Sequence, residues 1–278
     1  MTREEELRWE ARWGPFAGIA AIAAGFLTLL SVPLFLPKDR KGVDQTADFL
    51  LSIHDESSSY LVSSIVSALA ALLLLGVFLY LFRAVTARGA GVPQWFVYLV
   101  IGAPLAYAIS RVAYAIQAVD VADDFAASGP VRGETGNDRA TDLLNGSSLV
   151  GGLQIAGTVG VAFLFVMLPL RARRVGLLTP FMGVLGAIAG ALVVIPLAGV
   201  SSLILAFWLA ALGMLLLGRW PGGRGPAWES GEAEPWPTAR ERMRSGPEAA
   251  APGAGAPKPE SEPVPERPPS RKRRKKRR

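Results

Sequence analysis

A chain of 278 residues that is 51% hydrophobic and only 19% charged, with a formal net charge of +6, lacks the interleaved charge of a soluble domain surface. The absence of cysteine excludes disulfides, thiolate metal sites, iron–sulfur clusters and a thiol nucleophile from its own chemistry. A hydrocarbon core about 30 Å thick needs roughly 20 apolar residues per helical crossing, and six segments meet that need, so the expected fold is all-α: a six-transmembrane-helix bundle with a disordered C-terminal tail.

Residues 1–14, "MTREEELRWEARWG", mix acids with arginines and read as a cytoplasmic N-terminal segment. The first apolar stretch, about 15–36, exceeds the roughly 7–15 residues of a signal-peptide core, and no small-residue cleavage site precedes "PKDR". It is expected to stay as the first crossing. The loop after it contains "DQTADFLLSIHDESSSY", in which Asp44, Asp48, Leu51 and Asp55 take helical spacing against Phe49, Leu50 and Ile53, the pattern of a short amphipathic helix at the outer surface. His54, the one histidine, stands beside Asp55 and Glu56 but lacks the convergence of a ligand set, so no metal site is expected there.

The second crossing, about 60–82, carries Ser63, Ser64 and Ser67 in its outer half, and the third, about 95–117, carries Tyr107, Ser110, Arg111, Tyr114 and Gln117 in its own. Arg111 lies roughly 9 Å below Gln117 at about 1.5 Å per residue. An ionisable group inside a membrane usually has an acid for company, yet none of the six segments contains Asp or Glu, and Asp120, Asp123 and Asp124 fall beyond the expected helix end. Arg111 therefore reads first as a snorkelling side chain that pairs with the acidic outer loop. The sharper alternative is an outward-facing pocket in which Arg111, Tyr107, Gln154, Ser63 and Ser67 hold an anion or a lipid head group, for which the planar guanidinium is suited.

The second outer loop, about 118–147, contains "SGPVRGETGNDR" and is expected to be flexible. The fourth crossing spans about 148–170, and the fifth and sixth, about 178–196 and 200–218, form one apolar run broken at "VIPLAGVSS" by Pro196 and Gly199, a hairpin turn. Small residues recur at four-residue spacing: Ala17, Ala21 and Gly25; Ser63, Ser67 and Ala71; Gly152, Ala156 and Gly160; Gly186 and Gly190. Such spacing lets lipid-solvated helices approach closely.

Orientation follows from the basic residues. With the N-terminus inside, the inner segments hold Arg3, Arg8, Arg12, Arg83, Arg88, Arg171, Arg173 and Arg174, against Lys38, Arg40, Lys41, Arg132 and Arg139 outside. Residues 219–278, which an even number of crossings returns to the inner side, add fifteen more of the 29 basic groups. The strip 219–240 places Trp220, Trp228 and Trp236 eight apart, either as interfacial anchors or as a segment docked over the inner helix ends. Beyond it, 241–278 is rich in Pro, Ala and Glu and cannot bury enough surface to order itself. It ends in a polybasic run, Arg271, Lys272, Arg273, Arg274, Lys275, Lys276, Arg277 and Arg278, which would contact anionic inner-leaflet lipids or ribosomal RNA through phosphates.

Phosphate-cradling GxxxxGK[ST], nucleophile-elbow GxSxG, HExxH and GxGxxG patterns are missing from the sequence. No catalytic residue, cofactor or metal is expected. The stretches "RVGLLTPFMGVLGAIAG", "LGRWPGGRGPAWESGEAEPWP" and "WEARWGPFAGIAAI" resemble uncharacterised six-helix membrane proteins of high-GC bacteria grouped under domains of unknown function, over roughly 1–240. That resemblance implies a multi-pass protein of the bacterial cytoplasmic membrane with no assigned activity, and it transfers no functional residues. The expectation is a non-enzymatic membrane-organising or partner-binding protein; the alternative is a small transporter or lipid- and anion-binding protein built around Arg111.

Overall fold

The computed structural model describes residues 2–35, 46–89, 91–145, 148–195, 200–221 and 223–236. The hairpin turn 196–199 and the tail with its polybasic run lie outside the described residues. All regular structure among those described is helical: α1 (Arg3–Phe35), α2 (Thr46–Asp55), α3 (Ser57–Ala87), α4 (Phe96–Ala127), α5 (Gly133–Asn145), α6 (Ser148–Arg174), α7 (Pro180–Val194), α8 (Val200–Leu216) and α9 (Pro226–Ser230).

Local chemistry explains several of the boundaries. The leader is itself helical, because Thr2 and Glu5 form a capping box: Glu5 N–H donates to Thr2 Oγ1 (3.3 Å) and Thr2 N–H to Glu5 Oε2 (2.8 Å). Glu4, Glu5 and Glu6 complement the helix dipole of the first turn, as Arg171, Arg173 and Arg174 do in the last turn of α6. At α7, Thr179 accepts from Met182 N–H (3.1 Å) and Pro180 takes the first helical position, where its missing donor costs nothing.

Among the described residues, four helices are long and apolar enough to cross a bilayer: α1, α3, α4 and α6. The remaining two apolar helices, α7 and α8, have 15 and 17 residues and so extend only about 22 and 26 Å. The composition is that of a membrane-spanning protein, with four candidate spans rather than six of full length.

Six helices close a ring in the order α1, α3, α4, α6, α7, α8, with α8 returning to α1 and α3 touching α6 across the axis. The axis is filled by side chains. Phe78 meets Phe165 edge-on at 5.0 Å, Phe165 meets Trp208 at 5.4 Å, and Trp208 Nε1 donates to the Met182 carbonyl (2.9 Å). Small residues set the close approaches, at Gly25, Gly186 and Gly190 of the expected stripes and at Gly18 outside them. Gly18 and Gly25 of α1 lie against the carbonyls of Gly213 and Ala206 of α8, and Gly186 and Gly190 of α7 lie against Pro169 and Ala162 of α6. On α6 the contact with α4 runs through Gly157 and Gly160, at Tyr107 and Ala103. Gly152, expected in that role, faces open space.

The loop at the far end from the termini differs from expectation. Instead of stopping near residue 117, α4 runs on to Ala127, and the stretch read as flexible contains α5. Leu50 and Ile53 of α2, Ala140 of α5 and Ala118, Ala122 and Phe125 of α4 form a second apolar core with Tyr60 of α3. That buried area holds the cap together. Polar contacts tie it further: Thr46 N–H donates to Asn137 Oδ1 (2.8 Å), His54 Nδ1 lies 2.7 Å from Asp123 Oδ1, and Arg139 donates to the Phe125 carbonyl (3.1 Å). The amphipathic helix expected over 44–55 is present as α2, packed against α4 and α5.

Candidate functional site

Two polar constellations stand inside this apolar frame, at opposite ends. At the end that carries the N-terminus, Glu10 of α1 and Arg88, just past α3, are 3% and 7% exposed. Arg88 presents both terminal nitrogens to the carboxylate, Nη1 to Oε1 at 2.5 Å and Nη2 to Oε2 at 2.9 Å. Its Nη1 also donates to the Ala84 carbonyl (2.9 Å), while Nε (3.0 Å) and Nη2 (2.7 Å) donate to the carbonyl of Ala227 in α9. All five N–H groups of the guanidinium thus have acceptors, which is what a charge needs when it is removed from water.

An aromatic stack is built around this pair. Tyr80 lies between Trp9 (5.4 Å) and Trp228 (6.0 Å) with both ring pairs near parallel, its hydroxyl donates to the Glu10 carbonyl (3.3 Å), and Trp228 Nε1 donates to the Leu177 carbonyl (2.9 Å). A second pair, Arg83 with Glu6 (2.8 Å), sits at the rim with the guanidinium 3.9 Å from the Trp9 ring centroid. Arg3 pairs with Glu232 and Arg224 donates to the Leu216 carbonyl. Gly176, at φ +79°, lets the chain pass so close to the Glu234 carbonyl that a Cβ there would overlap it. Of the two readings of the Trp-rich strip, the docked one describes residues 223–236: they fold back over the helix ends and fix the start and end of the bundle to each other.

At the opposite end stands Arg111, half-buried on α4. Its Nε is buried without a hydrogen-bond partner, and no acid among the described residues pairs with it, so the expected link to the acidic loop is not made. Asp120, Asp123 and Asp124 are on the overrunning part of α4 itself, where Asp123 is engaged by His54. Tyr60 and Tyr114 lie within electrostatic range of the guanidinium. Of the other candidate residues, Ser63 donates to the Ser31 carbonyl of α1 (3.0 Å) and Ser67 to the Ser63 carbonyl (2.9 Å), so both hydroxyls are committed to backbone rather than to a shared pocket. Tyr107 is half-buried and packs on the main core, with its backbone against Gly157. The antiparallel register of Gly157 on Tyr107 and Gly160 on Ala103 puts half-buried Gln154 level with Ser110 and Arg111. Arg111 therefore has Tyr60 and Tyr114 within electrostatic range and Gln154 at a similar depth on α6, with the serines turned elsewhere.

Sequence reasoning missed the Glu10–Arg88 clasp. A signal was present: Glu10 extends the stripe of Gly14, Ala17, Ala21 and Gly25, so an acid occupies the face of α1 that packs inward. Among the described residues no group of three or more His, Asp or Glu is arranged to hold a metal ion. Compared with family models, curated proteins and solved structures, the chain matches none.

Proposed function

We propose that the chain is a six-crossing protein of the bacterial cytoplasmic membrane, both termini cytoplasmic, that organises or binds partners at that surface and catalyses no reaction. The observation that carries this reading is the clasp. A desolvated, fully hydrogen-bonded ion pair fixes the 223–236 strip to α1 and α3, so that strip is held at one defined place beside the N-terminal helix. The aromatic filling of the axis supports a scaffold over a conduit. In this reading α7 and α8 are the fifth and sixth crossings, their shortness met by local thinning of the bilayer. The basic residues of the termini and the polybasic run 271–278 favour the anionic, cytoplasmic side.

Co-sedimentation of the full chain in zwitterionic nanodiscs with anionic liposomes or with ribosomes tests the partner, in comparison with a chain ending at Trp236. Recovery that requires the tail and falls steeply with salt is expected. Equal recovery of the truncated chain overturns the role of the tail.

The buried, unbonded Nε of Arg111 favours a second reading, an anion or lipid head group held at the far end with Tyr114 and Gln154. Native mass spectrometry of the wild type and Arg111→Ala from nanodiscs of host lipids tests it. An anion lost only from the variant supports the site, and lipids retained equally by both remove it.

A further inference from the structure

A groove of about 560 Å³ opens on the side of the bundle at the terminal end, between α1, α3 and the start of α4. Its body is apolar, walled by Trp13, Phe16 and Ala20 of α1, Gly76 and Leu79 of α3 and Val97 of α4. Its polar edge is formed by the Trp9 ring, Arg83 and Thr86. From Trp9 to Ala20 the α1 wall runs about 16 Å along the helix axis, from the aromatic and charged interface down into the apolar belt. Trp13 and Phe16 are 46% and 63% exposed, and a Cβ built on Gly76 meets nothing within 4 Å. The groove is open to the surrounding bilayer over the glycine.

Charge complementarity identifies the occupant. Around the edge, Glu6 is taken by Arg83, Glu10 by Arg88, Arg3 by Glu232, and Glu5 closes the capping box. Arg12, exposed and next to Trp13 of the α1 wall, has no acid partner among the described residues, and its guanidinium carbon lies 5.9 Å from the Trp13 ring centroid. An apolar trough with an uncompensated cation beside one of its wall residues matches an acyl chain that carries a negative head group. We propose that this groove binds one anionic glycerophospholipid from the leaflet on the side of the termini, with an acyl chain over Gly76 and the phosphate at Arg12. The size is that of a small-molecule pocket, which runs from about 300 to 1,000 Å³. This site is separate from Arg111.

Gly76→Leu fills the groove from its open floor, and leucine in place of glycine favours the helix. Gly102→Leu, on α4 at another position where a Cβ meets nothing, is the control. The measurement is native mass spectrometry of the full chain from nanodiscs containing equal phosphatidylglycerol and phosphatidylcholine with identical acyl chains, with thermal melts to confirm folding. The wild type and Gly102→Leu are expected to retain one phosphatidylglycerol. Gly76→Leu is expected to lose it by roughly tenfold or more, and Arg12→Gln to lose the preference for the anionic lipid. Equal lipid retention by Gly76→Leu and the wild type overturns the site. Equal retention of the two lipids by the wild type overturns the head-group assignment, and a wild-type dimer that Gly76→Leu dissociates would make the groove an interface between copies.

Discussion

Removing the carboxylate of Glu10 strands a guanidinium whose side chain is 1% exposed. Two of the five donors of Arg88 then lose their acceptors, those directed at Oε1 and Oε2, and the charge loses its one acid partner among the described residues. Breaking a buried pair on one side in this way costs about 3–5 kcal/mol. Glu10→Gln keeps one acceptor and should cost less, about 1.5–3 kcal/mol. The informative variant replaces both, Glu10→Leu with Arg88→Met, because it removes the stranded charge and withdraws only the Arg88 donors from the Ala84 carbonyl and from the Ala227 carbonyl, which still accepts from Gly231 N–H (3.2 Å), at about 1–3 kcal/mol. The double variant should therefore be more stable than Glu10→Ala alone. Stability is read by urea titration in micelles, and detachment of the strip by the rate of tryptic cleavage at Arg224. Cleavage of a transiently opened segment follows its open population, so 3 kcal/mol confined to the strip corresponds to about 100-fold faster cutting. If the double variant is destabilised by the sum of its single changes, or if Glu10→Ala shifts stability by less than about 1 kcal/mol, the clasp does not hold the strip.

Trp228→Phe keeps the stack on Tyr80 but loses the donor to the Leu177 carbonyl, and should cost about 1 kcal/mol with faster cleavage at Arg224. Gly176→Ala forces the strip away from the Glu234 carbonyl, whereas Gly89→Ala, at φ +68° with open space, carries only the left-handed backbone cost of about 1–2 kcal/mol. Only Gly176→Ala should raise cleavage at Arg224 beyond its stability loss, and equal behaviour of the two would refute the close passage. Because the chain has no cysteine, single-cysteine labelling can report topology without background. In six crossings Ala198→Cys is labelled from the same face as Ala127→Cys and opposite to Ala233→Cys; labelling together with Ala233→Cys would make α7 and α8 a re-entrant pair.

How much of this was legible in the sequence depended on the range of the contact. Apolar length located six helices, and period located α2, because both signals lie within one segment. Small residues at i, i+4 announced close approaches but not their partners: α1 meets α8 through Gly18 as well as Gly25, and on α6 the packing used Gly157 in place of Gly152, since the register of the partner helix decides which stripe faces inward. The helix α5 was hidden by Gly129 and Pro130, which punctuate the chain before it, and by Gly133, which is its first residue; its apolar residues find their partners on α2 and α4. The clasp was out of reach because Arg88 is 78 residues from Glu10 and 139 from Ala227. Arg111 was found from its surroundings alone, but what faces it depended on the turning of Ser63 and Ser67 toward backbone carbonyls, which no spacing encodes.

The bonds from Arg88 to Ala227 also impose an order on biosynthesis. Chains emerge N-terminus first, so α1 and α3 can meet and Glu10 can pair with Arg88 long before residue 227 has been translated. Until then Nε and one hydrogen of Nη2 have no protein acceptor, and the nascent bundle stays incompletely sealed at that end. Synthesis of the last helix and its return over the first is the step that completes it, and a chain stopped before Ala227 would carry an unfinished seam that quality-control proteases can enter.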